Sequence, residues 1–263
     1  MGTLNEDKEF AKCCADIYSH PLVVELLEGI FHPGGLALSR LMAERMGITH
    51  DSRVLDIACG NGSTATYLAK VFSCRVAGID AGAEMIQKAK EKSVDIGVGA
   101  LTDFRIGYAT EIPYDPSTFT AVYSECALCT FTDKVQSVSE IYRVLEEDGV
   151  VGINDVVVQD YDKLTEELRG FFGKVACIAD ALSHSGYIDL FTNHKFDLLD
   201  SSEHTELLLD MVEKSESRAH LIKKLGNREF NESTLDEAIS IIKQVNKQIS
   251  DGNIGYEMFI FQK

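Results

Sequence analysis

The sequence is short of proline, tryptophan and basic side chains. Its 263 residues hold 4 prolines and no tryptophan, and 25 Lys and Arg face 42 Asp and Glu, which gives a formal net charge of −17. Such acidity argues against a nucleic-acid partner, whose binding requires basic side chains on phosphates, and disfavours anionic membranes. No apolar run reaches the roughly 18 residues of a membrane span, and the N-terminal residues carry no apolar signal segment. We therefore expect a cytoplasmic protein with no nucleic-acid or membrane partner.

The number and spacing of the cysteines do not indicate a disulfide framework. There are 7 of them, an odd number with irregular spacing, and cytosolic thiols stay reduced. With 45% hydrophobic and 25% charged residues, the composition is that of an ordinary globular protein with one large core. The cysteines are free for other chemistry.

Short apolar runs alternate with amphipathic helical segments from Arg53 onward. This alternation is typical of βαβ units and predicts an α/β fold, a doubly wound, seven-stranded and mostly parallel sheet of the Rossmann-like type. Residues 1–50 form a helical N-terminal cap, and residues 51–263 form the sheet domain with a cap insertion around 162–195. The predicted strands are 53–58, 75–80, 102–107, 121–125, 150–158, 196–202 and 256–262. The predicted helices are 64–71, 83–93, 133–146, 162–180 and two helices within 204–250.

A glycine-rich turn follows the first predicted strand. The run 54–62 reads VLDIACGNG and leads into a helix at Ser63. Glycine lets a ligand approach the backbone closely, and a helix N-terminus presents unpaired N–H groups. By itself this pattern also fits a plain tight turn, but Asp80 ends the next strand about twenty residues on, where nucleotide-binding folds place the acidic residue that holds a ribose.

Two features distinguish the expected nucleotide from a dinucleotide. The third glycine of a G-x-G-x-x-G pattern is replaced by Ala65. Asp56 stands just before the turn, where it would repel a pyrophosphate and attract a cationic methionyl amine. These residues favour a sulfonium cofactor.

With these motifs the chain resembles the class I S-adenosylmethionine methyltransferases over residues 53–158. The run 54–62 is similar to their first motif, Gly78-Ile79-Asp80 with Met85 to their second, and Arg143-Val144-Leu145 with Gly149 to the turn before their fifth strand. The resemblance implies S-adenosylmethionine as cofactor, with Asp80 on the ribose and the segment Tyr108-Ala109 on the adenine. Many relatives carry an acidic residue in place of Tyr108, so adenine recognition here is expected to use stacking or backbone groups. The cofactor residues implied are Asp56, Ala58, Gly60, Gly62, Asp80, Ala81, Met85, Tyr108, Ala109 and Ser124.

Cysteines collect in segments expected to meet at the acceptor side. Cys126 and Cys129 follow the fourth strand, Cys13 and Cys14 lie in the cap, and Cys177 follows the fifth strand. Free cysteines also serve as small hydrophobic residues. The Cys126-x-x-Cys129 spacing lacks the second pair of a structural zinc site and the context of a thioredoxin-like dithiol.

The run from Glu125-Cys126 to Asp133-Lys134, and Cys177 with Tyr187, are similar to the arsenite methyltransferases. That resemblance implies that Cys126 and Cys177 hold trivalent arsenic, and soft thiolates suit a soft acceptor. The family's cysteine just after the glycine turn has no counterpart, since residues 64–66 are Thr-Ala-Thr. We hypothesise that Cys13-Cys14 substitutes for it. The metalloid ligands considered are Cys13, Cys14, Cys126, Cys129 and Cys177.

Other acceptors stay open. A carbon or oxygen methyltransferase of a small organic molecule such as a quinol would need a base, for which Glu125, His32, Asp155 and His184 are the alternatives. A non-catalytic module that binds S-adenosylmethionine or metal is a third reading. The break at residues 32–35 is either a lid hinge or a turn, and the acidic helices near 204–224 are either a solvated face or a homodimer surface. The predicted catalytic set is Cys126 and Cys177 as acceptor ligands, with Glu125.

Overall fold

The computed structural model describes residues 12, 18, 20–29, 31–131, 133–170, 173, 176–225 and 230–263. The strands are β1 (Arg53–Ile57), β2 (Arg75–Asp80), β3 (Thr102–Ile106), β4 (Phe119–Glu125), β5 (Leu145–Val158), β6 (Asp197–Glu203) and β7 (Ile254–Gln262). They form one sheet in the order β3-β2-β1-β4-β5-β7-β6, in which β1 to β5 pair in parallel and β7 runs antiparallel to both β5 and β6. The predicted Rossmann-like fold with a mostly parallel, seven-stranded sheet is confirmed.

Helices cover both faces of this sheet because alternate strand residues are apolar on both sides. Val54 of β1 packs toward one face, whereas Leu55 packs toward the other. The helices are α1 (Pro21–Leu27), α2 (Gly35–Arg45), α3 (Ser63–Phe72), α4 (Ala83–Ile96), α5 (Lys134–Val144), α6 (Glu166–Arg169), α7 (His184–Thr192), α8 (Thr205–Leu225) and α9 (Glu232–Ser250). Helices α2, α3 and α4 cover the first face, and α5 and α7 cover the second.

The cap contains more than the N-terminal segment. Leu22 and Leu26 of α1 share a small apolar core with residues of α8 and α9, and the guanidinium of Arg218 donates to the carbonyl of Leu26 at 2.8 Å. The two long C-terminal helices therefore pack with the N-terminal helix. Within the described ranges, no helix is long and apolar enough to cross a membrane.

The predicted single helix over 162–180 is wrong. The structure has a 3-10 turn at Tyr161–Lys163 and the one-turn helix α6, which Thr165 caps through the Leu168 N–H. Helix α6 ends at Gly170, whose backbone is extended. Segment 176–182 contains turns, and α7, which the sequence patterns did not indicate, begins after Ser183 caps the Gly186 N–H.

Candidate active site

A cavity of about 260 Å³ opens at the carboxyl ends of β1, β2 and β4, where ligands of open α/β sheets bind. One half lies over the glycine turn, and the other lies under the cap. Of the predicted cofactor residues, Gly62 and Ser124 do not line this cavity. Those that line it are Asp56, Ala58, Gly60, Asp80, Ala81, Met85, Tyr108 and Ala109.

The two glycines of the turn have different roles. Both have a left-handed backbone, with φ of +53° at Gly60 and +72° at Gly62, which is easy only for glycine. A Cβ at Gly62 would lie 2.7 Å from the Cβ of Ala89 in α4, whereas a Cβ at Gly60 would meet no protein atom within 4 Å. Gly62 thus permits close packing of α3 on α4, and Gly60 leaves open the space where a ligand would lie.

Asp80 holds the turn in shape from the neighbouring strand. Its two carboxylate oxygens accept the Gly60 N–H at 2.9 Å and the Gly82 N–H at 2.8 Å. Burial raises the pKa of this carboxyl, and the two backbone donors oppose that rise. Each oxygen has a further lone pair, so the side chain can also accept hydrogen bonds from a ligand in the cavity.

Asp56 is a buried carboxylate that lacks a counter-charge. It is 4% exposed, and its Oδ2 atom has no hydrogen-bond partner among the described residues. Burial raises its pKa well above the usual range, and the charges of Glu125 and Asp80 raise it further. A cationic group in the cavity would relieve this cost. The orphaned oxygen therefore fits the ammonium of a methionyl group, and the donor set of this half fits S-adenosylmethionine.

The half under the cap is mainly aromatic. Tyr18 and Phe31 form an edge-to-face pair with ring centroids 5.6 Å apart, and His32 and Phe131 also line the wall. None of the described lining residues is Lys or Arg, while Asp56, Asp80 and Glu125 are acidic. This half can desolvate a small acceptor, and its described residues offer neither Lys nor Arg for a phosphate.

Of the four candidates for a general base, two line the cavity and two do not. Glu125 and His32 line the cavity, with 3.7 Å between the Glu125 Oε2 and His32 Nε2 atoms. Asp155 is fully buried behind Cys129 and does not line the cavity, and neither does His184. His184 pairs instead with Glu257, at 2.5 Å from Nδ1 to Oε2.

Three of the predicted acceptor cysteines converge beside the cavity. Cys126 lines it, and the thiols of Cys126 and Cys129 both hydrogen-bond to Cys177. The Cys177 Sγ atom also lies 3.4 Å from the Tyr18 hydroxyl and 3.1 Å from the Cys126 carbonyl oxygen. Cys126 and Cys177 both have positive φ, +53° and +62°, a strained backbone for residues other than glycine.

Within this thiol group the pKa is raised at Cys126 and Cys129 and lowered at Cys177. Hydrogen bonds from Cys126 and Cys129 lower its pKa well below the usual value, with further help from Tyr18 and the charge of Lys134. The Cys126 thiol has a raised pKa because it donates to Cys177 and is buried. Burial and the nearby Cys177 charge also raise the pKa of Asp155 to about 7.

The five-cysteine metalloid site stays a prediction. Cys13 and Cys14 lie outside the described residues. Within the described part of the chain, no group of three or more His, Cys, Asp or Glu side chains is arranged to hold a metal ion. Cys126 and Cys129 each share a hydrogen bond with Cys177, so these three thiols lie near one another without forming such a group.

Several cavity residues were missed by the sequence reasoning. Phe31 precedes the break at residues 32–35, so its position could have been suspected from the lid hypothesis. Tyr18 and Thr64 carried no such signal, and Ser39 of α2 contacts Glu125 from 86 positions away in sequence. Contacts of this range depend on how the cap sits on the sheet.

Comparison with known proteins agrees with this geometry. Residues 55–153 match the family model described as a methyltransferase domain. Sterol 24-C-methyltransferase of Eremothecium gossypii is 33% identical over 129 residues, which is 49% of this chain and 35% of that protein. Phosphoethanolamine N-methyltransferase 1 of Arabidopsis thaliana is 26% identical over 242 residues, 90% of this chain and 47% of that protein. The chain thus spans about a third to a half of these two curated relatives.

Solved structures share the fold over most of the chain. The cyclase SpnF superposes with a TM-score of 0.78 at 19% identity, covering 96% of both chains. Phosphoethanolamine N-methyltransferase 2 of Haemonchus contortus, in complex with S-adenosyl-L-methionine, has a TM-score of 0.78 at 22% identity and covers 95% of this chain and 60% of that one. The match over residues 55–153 agrees with the predicted methyltransferase domain, and the superpositions agree with its fold. The use of S-adenosylmethionine by this chain stays a prediction.

Proposed function

We propose that this chain is an S-adenosylmethionine-dependent methyltransferase that methylates a carbon or oxygen atom of a small organic acceptor. The observation that carries the proposal is one continuous cavity with two chemically different halves. Its glycine-turn half has the orphaned Asp56 carboxylate and the Asp80 carboxylate, and its cap half is aromatic. A transfer between two bound molecules needs both sites in one cavity.

The residues of the cofactor half bind and orient. Asp56 would hold the methionyl ammonium, Asp80 would accept from the ribose hydroxyls, and Tyr108 with Ala109 would lie against the adenine. S-adenosylmethionine, when bound, supplies an electrophilic methyl group on a sulfonium. Because the cavity lies at the carboxyl ends of the central strands, this half is held by the sheet itself.

The residues of the acceptor half exclude water and fix the acceptor. The rings of Tyr18, Phe31 and Phe131 line this half and would enclose the apolar or aromatic part of an acceptor. With water excluded, the acceptor atom meets the methyl group without a competing hydration shell. Rate acceleration would then come mainly from proximity and orientation.

Acceptors carrying phosphate do not fit this half. Plant and nematode relatives are named as phosphoethanolamine methyltransferases, yet the described lining has acidic residues and neither Lys nor Arg. A phosphate there would lack the charge-assisted partners it needs. The proposed acceptor is therefore neutral, such as a quinol or phenol.

A direct test measures S-adenosylhomocysteine formation and the methylated product with quinols, phenols, phosphoethanolamine and arsenite as separate acceptors. Product from a quinol or phenol, with none from phosphoethanolamine, is the expected result. Both readouts are needed because SpnF, which shares the fold, is described as a cyclase. Cofactor binding without transfer to any acceptor in the panel would count against the proposal.

A second candidate, methylation of thiol-captured arsenite, is favoured by the convergence of Cys126, Cys129 and Cys177. Arsenic bears its own lone pair, so this reaction would require no base. The test adds a thiol reductant and compares Cys126→Ser and Cys177→Ser with Cys74→Ser. Cys74 is also fully buried, but its thiol donates to the Leu68 carbonyl oxygen, away from the cavity. Methylated arsenic that survives in the control and vanishes in both cavity variants would support this candidate, and none from the wild type would remove it.

A further inference from the structure

Glu125 is the last residue of β4 and lies between the two halves of the cavity. Its side chain is 5% exposed, and three donors surround the carboxylate, of which the Ser39 hydroxyl is shared between the two oxygens. Oε1 accepts from Asn154 Nδ2 at 3.0 Å and from Ser39 Oγ at 3.1 Å. Oε2 accepts from Ser39 Oγ at 2.9 Å and from Thr64 Oγ1 at 2.8 Å.

These donors come from three different elements, and Ser39 and Thr64 also contact each other, with 3.4 Å between their hydroxyl oxygens. Ser39 belongs to cap helix α2, Thr64 to the first turn of α3 after the glycine turn, and Asn154 to strand β5. The His32 ring, from the break before α2, lies near both Thr64 and Glu125. Its Nε2 atom is 3.5 Å from Thr64 Oγ1 and 3.7 Å from Glu125 Oε2. We call these residues, with Glu125, the Glu125 network.

The donors around this carboxylate bear on its chemistry. A general base needs a lone pair directed at the proton it removes. A carboxylate has about four lone-pair positions, and three donors from Ser39, Thr64 and Asn154 already point at them, with the Ser39 hydroxyl shared between both oxygens. Burying a carboxylate is costly unless hydrogen bonds compensate for it, and these donors supply such hydrogen bonds.

We propose that Glu125 is a positioning residue that fastens the cap to the cofactor turn, rather than the base that the sequence suggested. Its hydrogen bond with Thr64 connects it to the start of α3, and its hydrogen bond with Ser39 holds α2 over the acceptor half. Cofactor binding at the turn would thereby stabilise the closed cap, and the acceptor half would be complete only when the cofactor half is set. This inference rests on the proposed function for its catalytic consequence, but not for the coupling itself.

The substitution Glu125→Gln separates positioning from proton transfer. A glutamine keeps the shape and one acceptor oxygen for Asn154, and its amide can donate to Thr64, because a hydroxyl can reverse its direction. Glu125→Ala instead removes every acceptor and leaves buried donors unpaired. Glu44→Gln is the matched control, since Glu44 lies on α2 with Ser39 but is exposed and paired with Arg40.

The experiment is hydrogen–deuterium exchange of the α2 amides with and without S-adenosylhomocysteine, followed by kcat and KM in the transfer assay. We expect the ligand to slow α2 exchange in the wild type, Glu44→Gln and Glu125→Gln. In Glu125→Ala the slowing should disappear and basal α2 exchange should rise about tenfold, which corresponds to one or two unpaired buried donors. Glu125→Gln should keep kcat within about threefold, below the range for loss of a general base.

Two outcomes would overturn the inference. One is wild-type α2 protection in Glu125→Ala. The other is a kcat loss of about 100-fold or more in Glu125→Gln with α2 protection intact, which would identify a base. If Glu125→Ala fails to fold, Thr64→Val removes the hydroxyl that joins the start of α3 to Glu125, Ser39 and His32 and should abolish ligand-dependent slowing of α2. Exchange does not require an acceptor, so failure of the proposed methyl transfer leaves this test standing.

Discussion

The two glycines of the cofactor turn make a matched pair for separating ligand contact from packing. Gly60→Ala and Gly62→Ala add the same methyl group two positions apart, and both place alanine at a positive φ. That conformation costs about 1–2 kcal/mol for a residue with a Cβ. The surroundings then decide what each substitution changes.

The magnitudes follow from the neighbours of each added atom. At Gly62 the Cβ would lie 2.7 Å from the Cβ of Ala89 and 3.1 Å from the ring of Phe104, and overpacking of this kind costs about 1–3 kcal/mol more. At Gly60 it would meet no protein atom within 4 Å and would enter the cavity. Gly62→Ala should thus lose about twice the stability that Gly60→Ala loses.

Thermal unfolding and calorimetric titration with S-adenosylhomocysteine measure the two effects separately. We expect Gly60→Ala to lower the melting temperature by roughly 2–8 °C and to weaken ligand binding by about tenfold or more, which is at least about 1.4 kcal/mol. Gly62→Ala should show the larger melting shift and the smaller affinity loss in the fraction that folds. Wild-type affinity in Gly60→Ala would refute the assignment of the turn as the ligand wall.

Two further predictions concern buried polar groups near the thiols. Asp155→Asn should flatten the pH dependence of the free energy of unfolding. The folded-state pKa of Asp155 is raised to about 7, so its protonated form favours folding. This contribution is lost as pH rises from about 4 to 7. Urea unfolding at pH 5 and pH 8 should show the wild type losing roughly 2–3 kcal/mol relative to Asp155→Asn over that interval, and parallel pH profiles would contradict the raised pKa. Tyr187→Phe removes the buried hydroxyl that donates to the Val156 carbonyl at 3.0 Å and should cost about 1 kcal/mol in urea unfolding with unchanged S-adenosylhomocysteine affinity; a weakened affinity would mean that Tyr187 acts on the cavity.

The sheet was predictable because its central strands are buried and apolar and are separated by clear turn residues. The glycine turn and Asp80 could be recognised equally well, since about twenty residues of βα structure must return the chain to the next parallel strand. Segment 162–180 was mispredicted because its apolar residues are spaced like those of a helix. Gly170 is extended and ends α6, and residues 176–182 contain turns.

The site was predictable only in part, for physical reasons. Cys126 and Cys177 were paired by resemblance, but their contact depends on positive φ at both residues, which no pattern of side chains encodes. Ser39, Thr64 and Asn154 meet on Glu125 because three elements cross at the strand end. Such meeting points are a property of packing, so the sequence could name Glu125 without revealing that donors from three elements already hold its carboxylate.

The central claim is that the cavity over the glycine turn binds S-adenosylmethionine through carboxylates rather than a dinucleotide through its pyrophosphate. Calorimetric titration of the wild type and Asp80→Asn with S-adenosylhomocysteine, and of the wild type with a nicotinamide dinucleotide, tests it most directly. We expect saturable binding of S-adenosylhomocysteine, weakened about tenfold or more in Asp80→Asn by loss of a charged hydrogen-bond acceptor, and no binding of the dinucleotide. Dinucleotide binding, or S-adenosylhomocysteine binding unaffected by the substitution, would contradict it.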